Sequence, residues 1–331
     1  MPDVLVTGGT GFVGGAVVTD LAGNGWTVRA LIRRPDQEAV VRARGAAGVA
    51  LGDLAEPGAL TAAMDGCRLV VHVAGVNEMC PRDPAPMYRA NVDGTRNVVR
   101  AAAAAGVERI VHTSSLAAIG EAPGATATET TVHCGAYLSH YARSKHHAEI
   151  AAFAEARRLG VDLVAVNPSS VQGPGRTAGT AQILIGYLNG RLRVAVDTVL
   201  SVVSIGDAAA AHRLAAERGV PGERYLVSGA TLGVAEALAI LARVAGVEHR
   251  VRYLPGWLLG AGATVVGGLM GAVRRHPPVC REMARVMRAG ARADGSRATR
   301  DLGLEYASPE TWLAETVDWY RDRGLVGQPP T

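Results

Sequence analysis

Two side chains able to transfer a proton together stand four residues apart. Tyr141 and Lys145 belong to the segment Tyr-Ala-Arg-Ser-Lys. On a helix this spacing places both on one face, about one turn apart. A tyrosine ordinarily has a pKa of about 10, and a nearby ammonium favours the phenolate and lowers that pKa. The pair is therefore predicted to act as an acid/base group near neutral pH.

A serine that could assist this pair follows a predicted strand. Thr113-Ser114-Ser115 stands where the apolar run Arg109 to Thr113 ends. In open α/β sheets, ligands bind at the carboxyl ends of the strands. Ser115 is therefore expected to hold a carbonyl or alcohol oxygen next to the Tyr141 hydroxyl.

A glycine-rich turn precedes these residues in the chain. The segment TGGTGFVG at 7–14 directly follows the first apolar strand and opens the first helix. Gly8 permits a tight turn, Gly11 lets the backbone approach a diphosphate, and Gly14 lets helix and strand pack closely. The helix N-terminus adds N–H groups and partial positive charge. This context predicts a dinucleotide site rather than an ordinary glycine-rich turn.

The only lysine of the chain belongs to the proton-transfer pair. Of the 34 basic residues, 33 are arginine. A guanidinium is planar and bulkier than an ammonium, so the two groups are not interchangeable. Lys145 is expected to lower the pKa of Tyr141 and to bind the ribose hydroxyls of a nicotinamide cofactor.

The residues after the second and third strands bear on the choice of cofactor. Folds that select NAD usually place an acidic residue after the second strand, whereas Arg33 and Arg34 stand there, with no acid before Asp36. Arginine can grip a 2′-phosphate with paired hydrogen bonds. NADP(H) is therefore favoured over NAD(H), the alternative being a solvated arginine pair. Asp53 is placed to meet the adenine, or else simply caps the next helix.

Strands and helices alternate through the first two thirds of the chain. This alternation predicts an α/β fold, a Rossmann-type doubly wound parallel sheet. The predicted strands are 4–6, 27–32, 47–51, 69–73, 109–113 and 162–166. The predicted helices are 14–24, 37–44, 57–64, 87–105, 141–159, 183–189, 234–245 and 312–323.

The alternation weakens after Pro168, which suggests a second unit. Residues 1–170 are predicted to form the dinucleotide-binding domain, to which 202–217 returns. The segments 171–201 and 218–326 are predicted to form a smaller, mostly helical substrate lobe. Residues 327–331 are expected to be a flexible tail.

Composition narrows the function classes. With 331 residues, 48% hydrophobic and 19% charged, the chain is globular and long enough for about two domains. A net charge of +4 spread along the chain is too small for a dedicated nucleic-acid binder, and no nucleic-acid module is recognisable. The N-terminus passes directly into an apolar strand pattern, so no signal peptide and a cytoplasmic location are expected.

The cysteines and one uncharged stretch bear on compartment and membrane contact. Cys67, Cys80, Cys134 and Cys280 form no C-x-x-C pair, so scattered thiols in a reducing cytoplasm, without a metal site, are predicted. Residues 254–273 carry no charge, which is near the length of a membrane span, but they include six glycines. A packed or surface helix is preferred there. Peripheral membrane contact is the alternative, and a stable span is not expected.

Seven segments resemble the extended short-chain dehydrogenase/reductases, also described as NAD-dependent epimerase/dehydratase-like proteins. They are TGGTGFVG at 7–14, GDL at 52–54, HVAG at 72–75, NVDGT at 91–95, TSS at 113–115, YARSK at 141–145 and NPSSVQGP at 167–174. The resemblance spans nearly the whole chain. It is closest to the dihydroflavonol-4-reductase-like group and its hopanoid-associated sugar-epimerase-like members, supported by the residues at 87–92 and 187–190.

The resemblance implies roles for individual residues. Ser115, Tyr141 and Lys145 would form the catalytic triad, and Asn91 would be a structural or proton-relay position. Apart from the resemblance, Ser115 and Tyr141 are predicted to contact the substrate, and so is Asn77 or Glu78, at the start of a polar, proline-rich loop after the fourth predicted strand. The helices at 87–105 and 141–159 pair in family dimers, so a homodimer is predicted. Including those above, the predicted cofactor contacts are Gly8, Thr10, Gly11, Phe12, Val13, Gly14, Arg33, Arg34, Asp53, Leu54, Val73, Ala74, Gly75, Thr113, Tyr141, Lys145, Pro168, Ser170 and Val171.

Departures from the family pattern separate the possible activities. Sugar 4,6-dehydratases carry an acidic pair after the active-site serine or threonine, whereas Leu116-Ala117-Ala118 stands here, which argues against a dehydratase. The first hypothesis is an NADP-dependent oxidoreductase that transfers hydride to or from a ketone or secondary alcohol of a largely apolar metabolite. The alternative is a nucleotide-sugar epimerase with tightly bound NAD.

Two further interpretations stay open beside that hypothesis. The epimerase would need cationic contacts in the second lobe, which Arg176, Arg191 and Arg193 could provide, although solvated surface is the preferred interpretation of all three. A cofactor-binding scaffold with little turnover is a third possibility, disfavoured by the intact triad.

Overall fold

The structure is a computed structural model that describes residues 3–256 and 280–327. This part of the chain contains twelve strands, numbered in chain order. They are β1 (Val4–Thr7), β2 (Val28–Ile32), β3 (Gly48–Leu51), β4 (Leu69–His72), β5 (Arg109–Thr113), β6 (Asp162–Pro168), β7 (Ser170–Gln172), β8 (Val194–Asp197), β9 (Val199–Ser204), β10 (Arg224–Val227), β11 (Ala230–Gly233) and β12 (Arg252–Pro255).

The α-helices of the same residues are numbered in the same way. They are α1 (Phe12–Gly23), α2 (Glu38–Arg42), α3 (Pro57–Met64), α4 (Ala85–Tyr88), α5 (Gly94–Ala104), α6 (His140–Leu159), α7 (Ala181–Leu188), α8 (Ile205–Arg218), α9 (Val234–Ala245), α10 (Arg281–Ala289) and α11 (Pro309–Asp322).

Seven parallel strands form the central sheet. Their order is β10-β6-β5-β4-β1-β2-β3, and each neighbouring pair runs in the same direction. The order reverses between β1 and β4, which creates the crevice where this kind of sheet binds ligands. The predicted doubly wound parallel sheet is confirmed.

Helices cover both faces of the sheet, which explains the continuous apolar strands. Val4 and Val6 pack with α1 and α8 on one face, whereas Leu5 points to the other face, which α3, α5 and α6 cover. All four residues of β1 are buried. Strands buried on both sides need apolar residues at every position.

The long helix α6 has a capping signal at each end. Ser139 accepts a hydrogen bond from the backbone N–H of Ala142 at the start, and Gly160 adopts φ 69° at the end. Both are common helix-terminating devices, and they fix where the helix begins and stops.

The predicted helix at 87–105 is instead divided into three parts. The segment Arg89–Asp93 has π-helical hydrogen bonding and separates α4 from α5. Such π segments are frequent at functional sites, and this one carries Asn91.

The second half of the chain adds two small sheets. The strand order is β11-β9-β7 in one and β12-β8 in the other. A separate apolar cluster joins α7, α9 and α11, with Leu241 and Trp312 among its buried members. The division into a cofactor domain and a substrate lobe stays a prediction, and the sheet topology bears on two of its details.

Those details concern residues 202–217 and β10. In 202–217 it is the helix α8 that packs on the central sheet, while the strand β9 belongs to a small one. The strand β10 lies in the stretch expected to form the lobe, yet it pairs with β6 and completes the central sheet. A run of four residues has too little periodicity to indicate which sheet it joins.

The uncharged stretch at 254–273 falls mostly outside the described residues, as do residues 328–331 of the expected tail. Leu254 and Pro255 belong to β12. None of the helices in the described ranges has both the length and the apolar character that crossing a bilayer requires.

Candidate active site

Four strands bring the predicted site segments to one edge of the sheet. In register, Thr7 pairs with His72, His72 with His112, and Thr113 with Val166. The glycine-rich turn and the segments after β4, β5 and β6 therefore leave the sheet side by side. This is the carboxyl edge, where parallel sheets bind ligands.

The glycine-rich turn has no room for side chains at two positions. Gly8 has φ 75°, and a Cβ there would lie 2.7 Å from the backbone nitrogen of Ala74. A Cβ on Gly14 would lie 2.2 Å from the carbonyl oxygen of Gly8. The helix α1 begins without a side-chain cap, so its first N–H groups face the space beside the turn. A cradle that any Cβ would fill, with uncapped N–H groups, fits a cofactor diphosphate.

Arg44 supports this turn, although no sequence signal singled it out among many arginines. Its Nη1 donates to the carbonyl oxygens of Gly9 and Gly11, at 2.5 and 3.0 Å. Burial lowers the pKa of the guanidinium. The turn is therefore held by a side chain that follows α2, and this contact uses carbonyls rather than the N–H groups a diphosphate needs.

The two arginines predicted to select the cofactor are exposed at the end of β2. Arg34 pairs with Asp36 at 3.1 Å, and both side chains are about two thirds exposed, at 68% and 67%. Such an exposed ion pair contributes little free energy, so a competing anion can take the place of the Asp36 carboxylate at Arg34. The side chain of Asp53, beyond β3, accepts from the N–H of Ala55 within the loop, and α3 begins at Pro57 without a side-chain cap, so Asp53 does not cap that helix.

Ser115 and Tyr141 meet at the carboxyl end of β5. Ser115 opens a short 3₁₀ turn, and its Oγ accepts from the N–H of Ala117 at 3.2 Å. Tyr141 is the second residue of α6, and its phenol lies close enough to the side chain of Ser115 for the hydroxyl to influence the pKa of the phenol. The fold therefore brings these two groups, 26 positions apart in sequence, to the same strand end.

Lys145 lies one turn further along α6 and is 6% exposed. Its Nζ donates to the carbonyl oxygen of Thr113 at 2.6 Å. Burial lowers its pKa to about 8, against which the charge of Glu149 acts. An ammonium has three N–H donors, so two remain for ribose hydroxyls after the bond to Thr113.

The pKa of Tyr141 is raised in the structure, not lowered as the sequence predicted. Burial disfavours the phenolate, while the hydrogen bond from Ser115 and the positive charge of Arg176 act in the opposite direction. The ammonium of Lys145 donates to a backbone carbonyl instead. The predicted direction rested on the Lys145 ammonium one turn away, whereas the desolvation of the Tyr141 phenol depends on the folded structure.

Asn91 links the loop after β4 to the catalytic helix. Its Oδ1 accepts from the N–H of Val76 at 2.7 Å, and its Nδ2 donates to the carbonyl of Val76 at 2.9 Å. The same Nδ2 donates to Ser144 Oγ at 2.8 Å. Ser144 directly precedes Lys145, so this amide fixes the helix next to the loop that carries Asn77, which is exposed.

Buried histidines lie behind the triad. Burial lowers the pKa of His72 to about 3 and that of His212 to about 4, and the charge of Lys145 adds to both effects. His72 bonds to Thr7, and His212 to Thr113, each at 2.8 Å. These rings are neutral at pH 7, so they add no competing cation near Lys145. Across 3–256 and 280–327, no three metal-ligating side chains converge on a cation site.

Two of the four cysteines are paired, which corrects the prediction of scattered thiols. Cys80, in the loop after β4, forms a disulfide with Cys280, and their Cα atoms are 6.3 Å apart. Next to it, the carboxylate of Glu282 accepts from the N–H of Cys80 at 3.0 Å and from the N–H of His140 at 2.9 Å. The pairing depends on an approach across 200 residues, which spacing alone does not reveal.

Arg176 also differs from its preferred interpretation as solvated surface. It is half-buried and lies close enough to Tyr141 to influence its pKa, whereas Arg191 and Arg193 are exposed. Pro168 and Val171, predicted to line the nicotinamide, are buried, and Ser170 is partly exposed at the start of β7.

Comparison with known proteins agrees with this geometry. Residues 4–228 match the model of the NAD dependent epimerase/dehydratase family. The chain belongs to this family. The family match and reductase relatives together make it an NAD(P)-dependent oxidoreductase of the extended short-chain dehydrogenase/reductase type, and the resemblance drawn from the motifs is confirmed.

The similarity to individual known proteins spans nearly the full length of this family member. It is 34% identical to a protein of Synechocystis sp. that is ascribed a dihydroflavonol 4-reductase role, with 97% of this chain and 95% of that protein covered. It is 30% identical to the 4-hydroxy-2-methyl-3-oxo-4-farnesyl-3,4-dihydroquinoline-1-oxide ketoreductase of Stigmatella aurantiaca, with 98% and 97% covered. The crystal structure of gox2253 superposes with a TM-score of 0.86 at 31% identity, covering 99% and 100%.

Proposed function

We propose that this oxidoreductase uses NADP(H) to interconvert a ketone and a secondary alcohol of a small, largely apolar metabolite, with Tyr141 as the acid/base. The observation that carries the proposal is the convergence of Ser115, Tyr141 and Lys145 beside a glycine cradle that fits a diphosphate. The names of two relatives, a reductase and a ketoreductase, support the direction of ketone reduction.

The glycine-rich turn at 8–14 and Lys145 would hold the cofactor. The turn offers uncapped N–H groups of α1 to its diphosphate, and the two unused donors of Lys145 would be available to its ribose hydroxyls. Residues 73–75, after β4, together with Pro168, the last residue of β6, and Val171, in β7, would line the nicotinamide site at the same sheet edge. When bound, the nicotinamide would supply the hydride donor or acceptor.

Proton transfer falls to Tyr141, and Ser115 positions the substrate oxygen. The raised pKa of Tyr141 keeps the phenol protonated at neutral pH, which suits donation of a proton to the oxygen of a ketone. Ser115 Oγ, which lies near the phenol, would turn its single proton toward the same substrate oxygen. The buried apolar residues Leu116 and Ala118 follow Ser115 where a dehydratase would need acids.

The preference for NADP(H) rests on Arg33 and Arg34. No carboxylate forms an ion pair with Arg33 among residues 3–256 and 280–327, and the one paired with Arg34 is exposed and replaceable. Two guanidiniums at the end of β2 complement a 2′-phosphate.

The homodimer and the cytoplasmic location stay predictions. On α6, one of the two helices expected at the dimer interface, Ile150 is 54% exposed, and an apolar side chain on that face is consistent with pairing. A light-scattering mass of a monomer at micromolar concentration would contradict the dimer.

The test combines cofactor titration with a panel of ketones. The purified protein is titrated with NADPH and NADH, and turnover is followed by NADPH absorbance with Tyr141→Phe as the matched variant. We expect tighter NADPH binding, and a loss of turnover of about 100-fold or more in the variant with NADPH binding retained. Co-purified, tightly bound NAD without NADPH preference would favour the epimerase instead, and unchanged turnover in the variant would favour a scaffold.

A further inference from the structure

The segment Gly173–Thr180, between β7 and α7, directs one arginine toward the site. The phenol of Tyr320, on α11, donates to the carbonyl oxygen of Arg176 at 3.1 Å. A Cβ on Gly175 would lie 3.5 Å from the ring of Phe12, so the segment packs against the start of α1. The backbone of Arg176 is therefore fixed from two sides.

The guanidinium of Arg176 uses only part of its hydrogen-bonding capacity. Its Nη1 donates to the carbonyl of Val171, and its Nε donates to the carbonyl of Ala178 at 3.2 Å. A guanidinium has five N–H donors, so these contacts leave three. No carboxylate forms an ion pair with it among the described residues.

The guanidinium lies near the start of α1 and within electrostatic range of the acid/base. Its Cζ is 5.9 Å from the centroid of the Phe12 ring, and Phe12 is the first residue of α1. Its positive charge also acts to lower the pKa of Tyr141, while burial lowers its own pKa. A half-buried cation without a counter-charge is unfavourable unless a ligand supplies one.

We propose that Arg176 binds an oxyanion, a phosphate or carboxylate group, at the reaction centre. This inference rests on the proposed function, because it takes the turn as the cofactor cradle and Tyr141 as the acid/base. The planar fork of an arginine matches the paired oxygens of either group. The oxyanion comes either from the cofactor diphosphate, because Phe12 opens α1 beside the glycine-rich turn, or from an anionic group of the substrate, because Arg176 acts electrostatically on Tyr141.

A purely structural role makes a different prediction. If Arg176 served only to fix its segment through the carbonyls of Val171 and Ala178, its replacement would lower the melting temperature and leave the affinity for anions unchanged. Arg176→Gln retains an amide donor for one carbonyl, and Arg176→Lys retains the charge. Arg191→Gln is the matched control, because it removes an exposed arginine from the same region of the chain.

Binding measurements test the proposal without turnover. Titration calorimetry gives the dissociation constants of NADPH and inorganic pyrophosphate, and those of 4-acetylbenzoate and its methyl ester on the NADP⁺-saturated protein. If the oxyanion belongs to the cofactor, Arg176→Gln is expected to bind NADPH and pyrophosphate about tenfold more weakly or worse. If the oxyanion belongs to the substrate, Arg176→Gln is expected to bind NADPH unchanged and to lose the preference for 4-acetylbenzoate over its methyl ester. In either case the affinity of Arg176→Lys for the anion is expected to lie between those of the parent protein and Arg176→Gln.

Two results would overturn the proposal. One is Arg176→Gln binding NADPH and pyrophosphate within about twofold of the parent protein, without a lost carboxylate preference. The other is an equal loss in Arg191→Gln, which would indicate a general effect of net charge. Failure of the proposed function is distinguishable, because it would leave every ketone unreduced while the pyrophosphate titration still reports on Arg176.

Discussion

Lys145 is a buried cation, and the pH range in which it stays protonated limits the reaction. It is 6% exposed, its Nζ donates to Thr113, and burial lowers its pKa to about 8. The sequence identified it because it is the only lysine. What the sequence could not supply is the desolvation, which weakens the charge that the residue is needed for.

The lowered pKa of Lys145 predicts a pH limit. As the pH rises through about 8, the ammonium loses its proton, so ketone reduction at saturating NADPH should decline above that pH. Tyr141 has a raised pKa and stays protonated over this range, so it does not cause the decline. Initial rates from pH 6 to 10 measure the profile, and a flat profile to pH 10 would contradict the assignment.

Lys145→Arg is the companion variant. It keeps a charge that does not titrate, but the larger planar group does not fit the buried position beside Thr113. We expect turnover about 100-fold lower, weaker NADPH binding, and no decline above pH 8 in the activity that remains. Near-normal kinetics in the variant would mean that an ammonium is not required there.

At the scale of elements, the glycine-rich turn is defined by how closely β1 and α1 approach each other. A Cβ on Gly14 would lie 2.2 Å from the oxygen of Gly8, so the turn must move to admit it. The same helix ends in Gly23, where an added Cβ meets nothing within 4 Å. The two glycines therefore have different roles although they share one helix.

Gly14→Ala is predicted to weaken NADPH binding by about tenfold or more, because displacement of the turn misaligns its N–H groups. Gly23→Ala is the control, and we expect it to leave binding unchanged and to stabilise the fold by up to about 1 kcal/mol. Fluorescence titration and thermal melting measure the two quantities. Equal NADPH affinity in both variants would argue against the cradle.

Contacts between residues far apart in the chain hold the site together. The Cys80–Cys280 disulfide and Glu282 connect α10 to the loop after β4 and to the start of α6. The strand β10 completes the sheet from beyond α8. The contact of Glu282 with His140 fixes the start of the helix that carries Tyr141.

Cys280→Ser is predicted to lower the free energy of unfolding by about 2–4 kcal/mol, because the bond restricts the unfolded chain across a long loop. Denaturant unfolding of the oxidised protein measures the change, and a reductant should reproduce it in the parent protein. Cys134→Ser, at an exposed free thiol, should have no effect. Four titratable thiols in the unreduced protein would contradict the pairing.

Local patterns determined the fold class and the centre of the site. The glycine spacing, the Tyr141–Lys145 spacing and the position of Ser115 at a strand end each depend on geometry within a few residues, so the sequence alone specifies them. The boundaries of α3 and α9 were likewise predicted at 57–64 and 234–245, because proline and glycine mark helix ends locally.

The tertiary structure decided the rest. Arg44 beneath the turn, Arg176 beside Tyr141, the disulfide and the sheet partner of β10 join segments far apart in the chain, and no local period encodes such contacts. Burial depends on everything that surrounds a group, which is why the directions of the Tyr141 and Lys145 pKa shifts emerge only from the folded chain.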